Sequence, residues 1–276
     1  MEQVAISNHA VYFLVITFLF YVGSIAGWVL ELLFRRFLSS NNPDRKWINP
    51  GFLTGPYLPI YGFGLLALFL MSLFPYVGSS SLKILTWQKT VICILAMGII
   101  MTAIEYVAGL VFIRGMHIKL WDYSKRRGNI QGIICPTFSL IWTVLGALYY
   151  FFLQPRIIKL VTWYFNNIAF TFVVGMFFGV FFVDLFYSIH VVNIIRRFAA
   201  EHEIIVRYEE LKASIRNATD EAREKAHFVF AFKSDRPLKE HLEAYSNRLL
   251  LNMAQVRHDL QDEMENVKQT ITKKHS

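Results

Sequence analysis

The sequence predicts an all-α membrane protein, with about five transmembrane helices and a helical tail. The chain is 55% hydrophobic and 16% aromatic, more apolar than a typical water-soluble domain. Its mean hydropathy is +0.39. Five apolar stretches match the roughly 20 helical residues needed to cross a hydrocarbon core. They lie at about 10–34, 57–77, 89–113, 133–153 and 160–193.

The distribution of basic residues predicts the orientation of these spans. Lys and Arg concentrate in the connections after spans one and three, at Arg35, Arg36, Arg45, Lys46, Arg114, Lys119, Lys125, Arg126 and Arg127. The positive-inside rule therefore predicts an outside N-terminus and a cytoplasmic tail, in a multi-pass protein of the inner membrane. The segment before span one lacks the basic residues of a cleavable signal, so we interpret span one as retained.

Charge divides the chain into a transmembrane domain, 1–194, and a tail, 195–276. The first part has six acidic residues and thirteen Lys or Arg, whereas the tail has fourteen acidic and fifteen basic residues. The net charge of +8 therefore belongs almost entirely to the transmembrane part. It would attract anionic lipid headgroups, so we expect membrane lipids as partners and no nucleic acid.

The tail carries its own periodic pattern. Apolar residues recur from Leu242 to Ile271 with an 11-residue period, which favours straight or slightly right-handed helix packing. An earlier helix, roughly 195–232, leads into it through a turn marked by Pro237. We therefore predict a cytoplasmic helical hairpin or a coiled-coil-like bundle, the second of which would form a homo-oligomer. The simpler alternative is an amphipathic helix lying on its neighbour.

Two stretches follow one pattern, in which an acidic residue inside an apolar helix precedes a Gly- and Pro-rich entry into the next helix. Glu31 is followed by NPGFLTGPYLPIYGFG, and Glu105 by NIQGIICPTFSLIW. At a constant offset of 77 residues, Gly55 matches Gly132, Pro59 matches Pro136 and Tyr61 matches Phe138. The pattern predicts two related helix-hairpin repeats. Because two-span units keep their orientation, the axis between them should follow the membrane normal.

Acidic residues inside apolar spans are the candidate functional groups, because a charge in hydrocarbon is costly and normally lines a cavity or pairs. The candidate cavity or substrate residues are Glu31, Glu105, Asp184, Tyr61 and Asn129. Arg35 lies four residues after Glu31, so a local ion pair is the structural alternative there. Glu105 has no basic residue at i+3 or i+4. We expect it to reach polar groups of span one or span five.

The Gly- and Pro-rich segments suggest a cavity on the cytoplasmic side between the repeats, because helix breaks at membrane depth must line protein or water. Alternatively, they simply start helices and permit close packing. Asp122 either caps a turn or belongs to a headgroup-binding loop. The structural motif comprises Gly51, Gly55, Pro56, Pro59, Gly62, Trp121, Asp122, Tyr123, Gly132 and Pro136.

Several of these motifs carry a family resemblance. The segments are GWVLE, NPGFLTGPYLPIYGFG, EY, LWDYSKRRGNIQG and ICPTFSLIW. Over roughly residues 15–155 they resemble the bacterial membrane-protein family described as Putative ABC transporter permease, type IV. The resemblance implies a transporter permease that works with a separate ATPase subunit. The tail lies outside the resemblance.

The leading functional hypothesis is a permease-like or lipid-handling protein whose cavity binds a small cation, a proton or a lipid headgroup. Two alternatives stay open: a membrane enzyme acting on a lipid-linked substrate, and a scaffold or sensor whose tail recruits a partner. The sequence contains no GxxxxGK[ST], HExxH or GxSxG motif, so an enzyme is less favoured. We predict neither a metal site nor a cofactor.

The predicted orientation can be tested by single-cysteine labelling on a Cys-less background. Cysteines replacing Ser40 and Ser124 should react with a membrane-impermeant maleimide only after the membrane is opened, because both lie in the basic connections. Labelling of either position in intact cells would contradict the topology.

Overall fold

The computed structural model describes residues 8–39, 42, 44–73, 86–202, 204–217 and 238–274. The helices are α1 (Asn8–Phe37), α2 (Pro59–Leu73), α3 (Thr86–Leu110), α4 (Pro136–Leu148), α5 (Gln154–Asn166), α6 (Thr171–Glu201), α7 (Tyr208–Asn217) and α8 (Leu238–Lys274). A π-helical turn, Val111–Gly115, extends α3. Two short strands, β1 (Ile118–Lys119) and β2 (Val206–Arg207), pair in parallel.

The predicted class, an all-α membrane protein, is confirmed. Among the described residues, four helical segments are long and apolar enough to cross a membrane: His9–Phe37, Trp87–Gly115, Pro136–Asn166 and Ile168–Glu201. The span predicted at 57–77 corresponds to α2, which is apolar but only 15 residues long. Residues 74–77 lie outside the described part of the chain, so its status as a full span stays a prediction.

The boundary between predicted spans four and five was wrong. The sequence placed it between 153 and 160, whereas α4 and α5 form one continuous helical segment that ends at Asn166. A proline within a continuous helical segment removes one backbone hydrogen bond and usually kinks or breaks the helix. Here Pro155 lies in the first turn of α5, directly after a π-helical turn, Tyr149–Leu153. The π-helical turn changes the backbone hydrogen bonding just before Pro155, and the helical segment continues to Asn166.

Glycines allow the helices of each hairpin to approach closely. In the α1–α2 pair, a Cβ atom on Gly62 would lie 2.9 Å from the carbonyl oxygen of Phe20. In the α3–α4 pair, a Cβ atom on Gly98 would lie 2.9 Å from Cβ and 3.1 Å from Cα of Thr143. Small residues at such crossings let helices pack in lipid, where the hydrophobic effect between helices is absent.

The two hairpins and the remaining spans share apolar contacts. A buried cluster around Leu19, Met97 and Tyr149 joins α1, α3 and the π-helical turn before α5. The rings of Phe18 on α1 and Tyr164 on α5 stack with centroids 4.2 Å apart. Helix α6 packs on α1 through several phenylalanines, with the rings of Phe20 and Phe181 5.6 Å apart. The helices therefore form one bundle around α1.

The tail packs against the end of α6 and the loop after α3. This core contains Ile118 of β1, Ile195 and Phe198 of α6, Leu211 of α7 and Leu242 of α8. Farther along α8, the apolar side chains are exposed, at Leu250, Leu251, Met253 and Val256. The beginning of α8 is thus packed against α6 and α7, whereas the apolar side chains between Leu250 and Val256 are exposed.

The predicted single helix at 195–232 is divided in the structure. Helix α6 ends at Glu201, the chain becomes extended at β2, and α7 begins at Tyr208. The backbone N–H of Val206 donates to the carbonyl of His117, so pairing with β1 replaces helical hydrogen bonds here. The predicted turn at Pro237 falls in 218–237, outside the described residues, and the side chains after 256 in the 11-residue pattern are also not described.

The glycine contacts generate a stability prediction. Gly98→Ala should lower the free energy of unfolding by about 1–3 kcal/mol, because the added methyl group would overlap Thr143 at a helix crossing. Gly175→Ala is the matched control, since apart from its chain neighbours and the adjacent backbone of α6 no atom lies within 4 Å of its Cβ position. Unfolding in detergent measures both. Equal effects would contradict the described α3–α4 crossing.

Candidate functional site

Glu105 is a buried carboxylate in the middle of the second hairpin. The residue is only 5% exposed and lies on α3, five residues before the end of that helix. One carboxylate oxygen accepts a hydrogen bond from the hydroxyl of Tyr123, at 2.9 Å, and the other from Nε1 of Trp142, also at 2.9 Å. Both donors are neutral. No ion pair to Glu105 is present among the described residues.

Glu31 lies in the first hairpin, near the C-terminal end of α1. Its side chain is 22% exposed. One oxygen accepts from Nε of Arg35 at 2.9 Å, and the other from the hydroxyl of Tyr61 on α2 at 3.0 Å. The local ion pair considered for Glu31 is therefore present, and Tyr61 contacts the carboxylate directly.

Tyr123 connects the surroundings of the two glutamates. Its ring stacks on Phe138 with centroids 4.4 Å apart and an angle of 14°, and this contact holds the hydroxyl toward Glu105. Burial, followed by the negative charge of Glu105 and more weakly that of Glu31, raises the pKa of Tyr123. The Tyr123 hydroxyl thus lies in the electrostatic field of both carboxylates.

Asp184 occupies a different place, between α6 and the connection that leads into α2. Its carboxylate accepts hydrogen bonds from the backbone N–H groups of Thr54, at 3.0 Å, and Gly55, at 2.8 Å. The hydroxyls of Tyr57 and Ser188 donate to it at 2.7 Å and 3.0 Å. Four groups therefore donate hydrogen bonds to the Asp184 carboxylate, and these bonds connect the segment before α2 to α6.

A cavity of about 500 Å³ lies beside Asp184. It is lined by Thr54, Gly55, Tyr57, Gly179, Val180, Val183, Asp184 and Tyr187. Neither Glu31 nor Glu105 lines it, and Asp184 shares no hydrogen-bond partner with them among the described residues. The three acidic residues therefore belong to two separate places, the Glu31–Glu105 region and the Asp184 cavity.

The predicted WDYS motif builds the loop before α4. Nε1 of Trp121 donates to the carbonyl of Ile133 at 2.9 Å, and the N–H of Tyr123 donates to the carbonyl of Gly132 at 2.8 Å. Gly132 has a φ of +69°, and a side chain there would overlap Ser124. Asp122 accepts from the N–H of Ser124 at 2.9 Å, so it caps this turn.

Asn129 uses its amide inside the same loop. Nδ2 donates to the carbonyls of Ser124 and Arg126, and Oδ1 accepts from the N–H of Gly132 at 3.0 Å. These bonds fix the loop that carries Tyr123. Asn129 is half-buried, and its described hydrogen bonds involve neither glutamate.

The sequence patterns did not single out Asn49, which fixes the connection between α1 and α2, the first loop, as Asn129 fixes the connection between α3 and α4, the second loop. Its Nδ2 donates to the carbonyls of Leu53 and Thr54, and its Oδ1 accepts from Nε1 of Trp28 at 2.6 Å. Gly51 and Gly128, again 77 residues apart, both have a positive φ, of 77° and 69°. In the first loop, Asn49 followed two residues later by Gly51 was the sequence signal that could have indicated this turn.

The predicted motif prolines begin the second helix of each hairpin. Pro59 is the first residue of α2, and Pro136 is the first residue of α4. Pro56 lies in the short connection before α2, next to Gly55. Each proline follows a loop that is held by side-chain hydrogen bonds, and each thereby fixes where the next apolar helix starts.

The tail also contributes charged groups that the sequence did not predict for this region. Nη1 of Arg35 lies 2.8 Å from Oε2 of Glu209 on α7, and Nζ of Lys212 lies 3.1 Å from Oε1. Burial alone would raise the pKa of Glu209. The charges of Lys212 and Arg35 outweigh this effect and hold it below its ordinary value of 4.5.

Within the described residues, no three His, Cys, Asp or Glu side chains are grouped so that they could hold a metal ion. The arrangement instead offers hydrogen-bonded carboxylates and tyrosine hydroxyls, which exchange protons or bind small cations. Glu105 was predicted to reach polar groups of span one or five. Its hydrogen-bond donors instead come from the loop after α3 and from α4.

Comparison with known proteins agrees with the motifs. The family model described as Putative ABC-transporter type IV matches residues 18–189, more than half of the chain. The chain therefore belongs to this family. No curated protein and no solved structure is matched by the chain.

The lowered pKa of Glu209 predicts acid-sensitive docking of α7. A carboxylate with a lowered pKa stabilises the folded state above its ordinary pKa, and this contribution is lost as the pH falls through the folded-state value. Amide protection factors in α7, measured by hydrogen exchange, should therefore decrease on acidification. The decrease should be smaller in Glu209→Gln, which has no carboxylate to protonate. An identical pH profile in both proteins would contradict the assignment.

Proposed function

We propose that this member of the type IV ABC-transporter family is a permease-like membrane component in which Glu105 holds an exchangeable positive charge. That charge is a proton or a small cation. The protein would lie in the inner membrane with its N-terminus outside and its tail in the cytoplasm. Under this orientation, Glu31 and Glu105 lie near the cytoplasmic ends of their helices.

The observation that carries this proposal is the neutral surroundings of Glu105. A carboxylate that is almost fully buried requires a compensating positive charge or a proton. Its described partners, Tyr123 and Trp142, donate hydrogen bonds but bring no charge. The compensating charge must therefore come from the solution and can leave again, which is what a transport or coupling site requires.

Glu31 supports a division of roles between the two acidic residues. Its carboxylate has a permanent counter-charge, Arg35, on the same helix. Two similar groups in different environments can perform different tasks. We assign the exchangeable charge to Glu105 and a fixed, structural charge to Glu31, with Tyr61 and Tyr123 as hydroxyl donors between them.

The contacts of the hairpins support the proposed internal repeat. In each, a glutamate on the first helix accepts hydrogen bonds from an aromatic residue on the second helix, Tyr61 or Trp142. The residue that matches Tyr61 is Phe138, which lacks a hydroxyl. Tyr123 stacks on Phe138 and supplies a hydroxyl to Glu105. The second hairpin thus meets the same requirement with a residue from its loop.

The contacts of Asp184 support a positioning role. Four donors already use its carboxylate, so it has less capacity for a ligand than Glu105. The cavity beside it is bordered by apolar residues of α6, such as Val180 and Val183. This cavity would hold an apolar part of a lipid rather than a cation.

Three partners follow from this proposal. Membrane lipids surround the exposed apolar faces of the spans and contact the basic loops. A separate ATPase subunit would power transport, because the sequence has no P-loop of its own. A second copy of the chain would cover the exposed apolar residues of α8, Leu250, Met253 and Val256.

Chemical modification tests the assignment of Glu105. Dicyclohexylcarbodiimide is apolar and reacts with protonated carboxyl groups. It should modify Glu105 in liposomes more than Glu31, whose carboxylate is held by Arg35, and the rate should fall as the pH rises. Mass spectrometry of peptides measures both sites, and Glu105→Gln is the control for site identity.

The source of the charge is resolved in the same experiment. Protection of Glu105 by Na⁺ or K⁺ would identify a cation site, whereas dependence on pH alone would identify a proton site. Absence of modification at every pH and salt concentration would contradict the proposal. Flux or ATP-driven activity of Glu105→Gln, once a substrate is found, should be lost although the variant folds and inserts.

A further inference from the structure

Arg35 contacts two carboxylates from different parts of the chain. Its Nε donates to Glu31 on the same helix at 2.9 Å, and its Nη1 lies 2.8 Å from Oε2 of Glu209 on α7. One guanidinium therefore divides its positive charge between a residue of the transmembrane part and a residue of the tail.

Lys212 completes the arrangement on the tail side. Its Nζ lies 3.1 Å from Oε1 of Glu209, and it donates at 3.0 Å to the carbonyls of Asn49 and Gly51. These carbonyls belong to the loop that Asn49 fixes. Tyr208, the first residue of α7, donates to the carbonyl of Phe52 in the same loop at 3.2 Å. Helix α7 is thus held against the first loop by contacts that surround Glu209.

We propose that Glu209 is a positioning residue for Glu31, and that the tail sets through Arg35 how much positive charge remains for the Glu31 carboxylate. This inference rests on the proposed function only in treating the Glu31–Glu105 region as the polar site. The tail then acts on that site without contacting either Glu31 or Glu105 directly.

The direction of the effect follows from the charges. Glu209 attracts Arg35 away from Glu31, so removing the negative charge of Glu209 leaves Arg35, and the nearby Lys212, to stabilise ionised Glu31. Removing the positive charge of Lys212 has the opposite effect, because Glu209 then pairs with Arg35 alone. A partner that lifts α7 off the first loop would remove both groups together and leave Arg35 to Glu31.

Several titratable or charged groups lie around Glu31, and the variants change only two of them, Glu209 and Lys212. The titratable or charged groups around it are Arg35 on α1, Tyr61 on α2, Glu105 on α3, Tyr123 in the second loop, and Glu209 and Lys212 on α7. Because only the α7 residues are changed, a shift at Glu31 reports the contribution of the tail.

The test is the pH profile of carbodiimide modification at Glu31 in the full-length protein in liposomes. Relative to wild type, Glu209→Gln should slow modification of Glu31 by about two- to fivefold, the range of a partly exposed ion pair. Lys212→Gln should accelerate it by a similar factor. Glu210→Gln is the matched control, because Glu210 is the neighbouring acid and pairs with Arg207 at 2.9 Å.

Opposite changes in the two variants would support the positioning role, since general loosening of α7 would change Glu31 in one direction only. Equal changes in both variants, or none, would overturn it. Modification of Glu105 is recorded in the same samples. If Glu105 is modified as proposed but the modification rate of Glu31 is the same in all tail variants, only the present inference fails. If the rate at Glu31 changes in the variants but Glu105 is never modified, only the proposed function fails.

Discussion

A carboxylate inside an apolar helix must find hydrogen-bond donors nearby, and this requirement shapes the connections of the transmembrane part. Asp184 binds the backbone of Thr54 and Gly55, and Glu105 binds the side chains of Tyr123 and Trp142. Each acid therefore draws a loop, or the start of the next helix, against its own helix. These hydrogen bonds satisfy the buried carboxylates and link the Gly- and Pro-rich segments to the helices.

The loops also bind the tail, which extends this organisation beyond the transmembrane helices. The first loop accepts hydrogen bonds from Lys212 and Tyr208, and Asp122 of the second loop lies 3.3 Å from Arg207. The pKa of Asp122 is lowered: burial opposes this shift, but hydrogen bonds from Ser124 and the charge of Lys119 outweigh burial. A displacement of the tail would therefore break contacts with both loops and, through Arg35, change the charge beside Glu31.

The apolar helices could be predicted because their length and composition are local properties. The Glu31–Arg35 pair could be predicted because four residues bring two side chains to one face of a helix. The partners of Glu105 could not, since Tyr123 and Trp142 lie 18 and 37 residues away. Two of the four donors to Asp184 are backbone N–H groups about 130 residues earlier, which leave no side-chain signal. The boundary between spans four and five was misplaced because Arg156 and Lys159 interrupt the apolar stretch without ending the helix.

The most direct measurement is hydrogen exchange at the amides of Thr54 and Gly55, compared between the wild-type protein and Asp184→Asn. The account predicts slow exchange in wild type, because both N–H groups donate to the Asp184 carboxylate. Exchange should be faster in the variant, which keeps the shape of the side chain but loses its charge, while the amides around Gly132 in the second loop remain unchanged. Equal exchange at Thr54 and Gly55 in the two proteins would contradict the claim that buried carboxylates organise the loops.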